Sequence, residues 1–139
     1  MYQTPFSQTV TEVINKGKQA INIVLQQKPI HIEIYDNLEN EVEKRFKNFV
    51  DRKLPLLKEI KPQNPEIFYE CFLIRSMIEV LKQMLEERKV MLSENDKNLF
   101  KLIFSNDKIS IENDAFNLEN NTPDINSYFI KSIEKCIKK

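Results

Sequence analysis

Apolar residues recur along this chain at two periods, and the places where the period changes divide it into elements. Val10, Val13, Ile14, Ile21, Val24 and Leu25 fall at spacings of three, four and seven, with Gly17 on the same face, and Thr9 with Glu12 forms a T-x-x-E capping box ahead of them. The spacing predicts a helix over residues 9–26. A second reading makes Asn15 to Lys18 a hairpin turn between the strands QTVTEVI and QAINIVL, whose residues are β-branched in part. The helical spacing accounts for more positions and is preferred.

After Pro29 the period drops to two. Ile30, Ile32 and Ile34 alternate with His31, Glu33 and Tyr35, the clearest strand signal in the sequence. Asp36 with Glu39 then repeats the capping-box pattern and opens a long helix whose stripe is Leu38, Val42, Phe46, Phe49, Val50, Leu54, Leu57 and Ile60. The pairs Glu41/Arg45 and Glu43/Lys47 lie on its polar face with the acidic member first. Pro55 should kink or restart this helix near Leu54, because it lacks an N–H and its ring clashes with the carbonyl four residues back.

Lys61 to Pro65 reads as a loop in which Asn64 caps a further helix with Pro65 at its first position. This helix, expected to reach about Leu92, carries two apolar stripes. Cys71, Ile74, Ile78, Leu81, Leu85 and Leu92 keep a heptad seam, and Leu73, Met77, Val80, Met84 and Met91 form a neighbouring one. Ser93 with Asp96 opens a short helix bearing Leu99, Phe100, Ile103 and Phe104, and Lys108 to Glu112 alternates as a second short strand. Asn113 to Thr122 has no period and reads as a surface loop. Thr122 and Pro123 begin a last amphipathic helix through Ile125, Phe129, Ile133, Cys136 and Ile137. The expected architecture is a single domain over residues 1–139: an all-α bundle of about five helices with a minor two-stranded β element pairing Ile30–Tyr35 with Lys108–Glu112.

Composition removes several kinds of chemistry. Gly17 is the only glycine, so glycine-rich phosphate loops, dinucleotide turns and nucleophile elbows cannot be built. His31 is the only histidine, Cys71 and Cys136 are distant in sequence, and no E-x-x-H or EF-hand pattern occurs, so neither a metal nor a cofactor is expected. Lys plus Arg and Asp plus Glu balance at 21 each, which leaves no global field to attract nucleic acid or an anionic membrane. Both cysteines fall at apolar helix positions and read as reduced thiols. With no signal-peptide pattern in MYQTPFSQTV and no run of about eighteen apolar residues, the expectation is a soluble, cytoplasmic protein in a reducing compartment.

Four places are candidates for function. The two-sided apolar helix must be covered on both sides. Internal packing in a bundle is the ordinary way to do so, and the alternative leaves Leu73, Met77, Val80, Met84 and Met91 as a surface for a protein partner or a second copy. Arg75 interrupts this region. A surface ion pair with Glu79 is its plain reading, and a bidentate contact to a partner's carboxylate or phosphate the sharper one. Lys131, Lys135, Lys138 and Lys139 favour the carboxyl end of the last helix, and alternatively contact phosphates as part of a nucleic-acid-binding subunit. His31 with Glu33 is the remote case for a small enzyme. Together these favour a non-enzymatic interaction or assembly subunit.

Overall fold

A computed structural model describes residues 4–27, 37–57, 59–111 and 125–136. Over these the chain forms five helices: α1 (Thr4–Gln26), α2 (Leu38–Lys53), α3 (Pro65–Glu87), α4 (Glu94–Phe104) and α5 (Ile125–Lys135), with a 3-10 turn at Leu54–Leu57. The helices α1, α2 and α3 pack pairwise against one another; α4 lies on α1, and α5 lies on α3. No helix among the described residues is long and apolar enough to cross a membrane.

The helix α1 is continuous through Asn15–Lys18, which settles the choice against a hairpin. It begins at Thr4 rather than Thr9. Pro5 suits the first turn, where an N–H has no helical partner in any case, so the chain is already helical before the Thr9/Glu12 pair. The entry to α2 also differs from expectation. Its N-cap is Asn37, in the left-handed region at φ 58°, and it makes no side-chain capping hydrogen bond. At the other end the helix tightens into 3-10 geometry where Pro55 removes a donor, and the Leu54 N–H still reaches Val50 O.

The helix α3 is the axis of the molecule. Asn64 accepts from the Ile67 N–H at 3.3 Å, and Pro65 opens the first turn. Every residue from Cys71 to Ile78 is buried, so two full turns are covered on all sides. Phe129 of α5 packs edge-on against both Phe49 of α2 and Phe72 of α3, with ring centroids 5.9 Å apart in each pair, and closes the groove between those helices.

This helix stops at Glu87, short of Leu92. Arg88 is the C-cap, and Lys89 turns into the left-handed region at φ 59°. The Val90 N–H returns to Leu85 O at 2.8 Å and the Lys89 N–H to Glu86 O at 3.0 Å, the paired bonds of a Schellman motif. Ser93 and Asp96 then cap α4 reciprocally: the Asp96 N–H donates to Ser93 Oγ at 3.1 Å and the Ser93 N–H to Asp96 Oδ2 at 2.9 Å.

The expected β element is not shown among the described residues. Ile30–Tyr35 lies outside the described residues, and of Lys108–Glu112 the described part holds only one bridge position, at Ile109. Ile109 and Ile111 are buried as their alternation requires, but local groups take up their backbone. Asn106 Oδ1 accepts from the N–H groups of Lys108 and Ile109, Ser105 Oγ accepts from Ile111, and the Ser110 N–H donates to Cys136 O at 2.7 Å. The segment is thus a buried turn stitched to the end of α5.

Candidate functional site

The proposed methionine surface is not a surface. Leu73, Met77 and Met84 have no exposed area, and Val80 has 1%. Heptad spacing puts these residues on one face, and α1 and α2 cover that face from within the chain. The internal reading of the two-sided helix is therefore the correct one. Met91 does not belong to the stripe: it lies beyond the Schellman turn, where the chain has left the helix, and it is 86% exposed.

Arg75 is also enclosed, at 0% exposure, so neither a surface ion pair nor a guanidinium presented to a partner describes it. Its charge acts on the neighbouring Glu79 and Cys71 of the same helix, opposing the upward push of burial on each. For Glu79 burial outweighs this help and that of Lys82, and the carboxyl is pushed above its ordinary value.

The other arginines are engaged in holding the helices together. Glu41 of α2 receives Arg88 Nη2 at 2.7 Å and Arg45 Nε at 2.9 Å, and Arg45 also grips the Glu87 carboxylate with both terminal nitrogens. This network ties the middle of α2 to the end of α3. Arg52 lies over the Phe49 ring at 5.7 Å. On α1, Lys18 reaches Glu43 of α2 at 3.0 Å, and Lys47 meets the same carboxylate at 3.1 Å.

Of the basic set on the last helix, Lys131 and Lys135 are exposed on α5, while Lys138 and Lys139 lie outside the described residues. His31 and Glu33 lie outside them too. Among the described residues no group of three or more His, Cys, Asp or Glu side chains is placed to hold a metal ion.

The apolar surface that remains open was missed in the sequence. Where α3 ends, Val90, Met91 and Leu92 form one wall of an open groove of about 470 Å³, and Lys82, Glu86, Lys89 and Lys97 stand around it. The wall has a local cause. The Schellman turn folds Val90 back toward Leu85, leaving it 9% exposed, and Ser93 must cap α4 three residues later, so Met91 between them projects outward. The rim is basic. Lys97 approaches Glu94 at 3.5 Å, and among the described residues no ion pair holds Lys82 or Lys89.

A second cavity, of about 500 Å³, lies between α2 and α3 and includes Asn48, Phe49 and Gln83, but its cations are Arg45, already bound to Glu41 and Glu87, and Arg52, stacked on Phe49. Among the described residues Leu102, 79% exposed on α4, is the other large apolar side chain in solvent; it is not part of the groove. One signal in the sequence points to the groove, the run Val90-Met91-Leu92 directly before the Ser93 cap, where helical spacing and a cap cannot both hold. Comparison with protein-family models, with curated proteins and with solved structures finds no match to this chain.

Proposed function

We propose that this chain is a non-enzymatic helical interaction subunit that engages a protein partner through the groove at the junction of α3 and α4. One observation supports the reading above others: Met91 stands 86% exposed beside Val90 and Leu92, while Met77 and Met84 are enclosed. Methionine is flexible and polarizable, so it can adapt its shape to an incoming side chain. A contiguous apolar patch rimmed by polar residues is a form that docking sites take.

The test is site-specific photocrosslinking of the full chain in the cell that produces it, with a benzophenone side chain at position 91 and, as a control, at Asn98 on the exposed side of α4. The expected result is a discrete adduct from position 91 and none from position 98. Equal labelling at both positions, or no adduct at 91, overturns the proposal. An adduct of twice the mass of the chain identifies the partner as a second copy.

A further inference from the structure

We infer that the segment received by this groove is acidic, an apolar side chain flanked by carboxylates. This rests on the interaction reading above and adds the partner's chemistry. The overall charge of the chain is balanced at 21 cations and 21 anions, while the lining of the groove carries Lys82, Lys89 and Lys97 with one acidic residue, Glu86; beyond the lining Glu94 stands 3.5 Å from Lys97 and Glu79 lies within the field of Lys82. The imbalance is local to the lining.

Placement of the lysines strengthens the argument. Lys82 lies on α3 and Lys89 just beyond its end, in the left-handed turn where the Lys89 N–H is held by Glu86 O and the Val90 N–H by Leu85 O. Lys97 belongs to the first turn of α4 and lines the same groove. Cations from both sides of the α3–α4 junction in the sequence thus share the groove with Met91 and Leu92. An acidic segment meets complementary charge beside its apolar anchor, whereas a basic segment would face three like charges. A helix or an extended strand can both satisfy this pattern; the charge sign is what the groove selects.

The probe is a synthetic amphipathic peptide of Leu, Glu and Ala with one tryptophan, compared with its counterpart in which every Glu is Lys. The chain has no tryptophan, so peptide fluorescence reports binding directly. In protein labelled with ¹³C at the methionine methyls, the Met91 signal should shift on addition of the acidic peptide while those of the enclosed Met77 and Met84 stay in place. The Lys counterpart should leave all of them unmoved. Met91→Gln, or Lys82→Glu with Lys97→Glu, should weaken the acidic peptide about tenfold, and unshifted Met77 and Met84 signals establish that the variants are folded.

Binding of both peptides alike, binding of neither, or binding unaffected by the lysine reversals overturns the inference. So does saturation of the groove by dodecanoate without any response to the acidic peptide, which would make it a site for a fatty carboxylate. If position 91 crosslinks a partner while the acidic peptide fails, the interaction reading stands and this assignment of charge falls. If position 91 crosslinks nothing, the failure is that of the interaction reading itself.

Discussion

Met77 of α3 lies directly on the backbone of Gly17 in α1. A Cβ built on Gly17 would stand 2.7 Å from the Met77 methyl carbon and 2.9 Å from its Cγ, with the sulfur between them nearer still. The single glycine of the chain therefore serves close approach of two helices, and nothing in its helical backbone requires a positive φ.

Two effects of opposite sign meet at this contact. Alanine favours a helix interior over glycine by about 1 kcal/mol, while an added methyl in a filled core costs about 1–3 kcal/mol. Met77 has no exposed area into which to retreat, so the second effect wins. Gly17→Ala should lower stability by about 1 kcal/mol, and the same change in a Met77→Ala background should raise it by a similar amount, as read from urea midpoints. A gain in the unaltered protein would mean that the Met77 side chain swings aside freely.

The second prediction concerns Lys89, whose φ of 59° is one that glycine adopts without strain. Lys89→Gly should stabilise the protein by about 0.5–1 kcal/mol, the relief of the left-handed side chain exceeding the added freedom of the unfolded chain. Thermal unfolding measures it. The same variant should bind the acidic peptide more weakly, because it removes one of the three rim cations. Stability and binding moving together would contradict the argument.

What could be read from the sequence divides by the range of the signal. The Ser93/Asp96 box, the Asn64–Pro65 start and the break at Pro55 each depend on residues within four positions, and all three are found. The end of α3 is equally local, yet its usual marker is a glycine; here a lysine occupies the left-handed position, and the helix seemed to run on through Met91. Periodicity placed Leu73, Met77, Val80 and Met84 on one face correctly but carries no information about what covers a face. Their enclosure depends on the helices packed against α3, and so does the burial of Arg75. For the groove the sequence offers only the run Val90-Met91-Leu92 before the Ser93 cap, because its full lining comes together only where the α3 terminus and the α4 cap meet in space.

Glu79 leads to a pH prediction. Burial pushes its carboxyl above the ordinary value of 4.5, and among the described residues its Oε2 has no hydrogen-bond partner. The folded state binds this proton more tightly than the unfolded state, so Glu79 favours folding at low pH and that contribution is lost as pH rises through the raised value. Glu43 and Glu87 behave oppositely. Hydrogen bonds from Lys18 and from Arg45 hold their carboxyls below the ordinary value, and their contribution is lost on acidification below it. Glu79→Gln should therefore stabilise the protein near pH 7, with the gain disappearing at about pH 3.5, where a free carboxyl is protonated in either state. A gain independent of pH would place its cause in packing rather than ionisation.

The two thiols meet at the seam between α3 and α5. Cys71 Sγ donates to Ile133 O at 3.1 Å and Cys136 Sγ to Ser132 O at 3.2 Å, and both cysteines are buried. Burial first, and the neighbouring Cys136 next, push the Cys71 thiol far above its ordinary value, so the nucleophilic thiolate is scarce in the folded protein. A disulfide reagent must then wait for α5 to lift. Labelling by Ellman's reagent at about pH 8 should be at least about a thousandfold slower in the native than in the urea-unfolded protein, if that opening costs a typical fraction of domain stability. Both thiols should react in one phase, because lifting α5 uncovers them together. A fast first equivalent would show that one of the pair is reached without separating the helices, and the seam would then be looser than the Phe129 contacts with Phe49 and Phe72 imply.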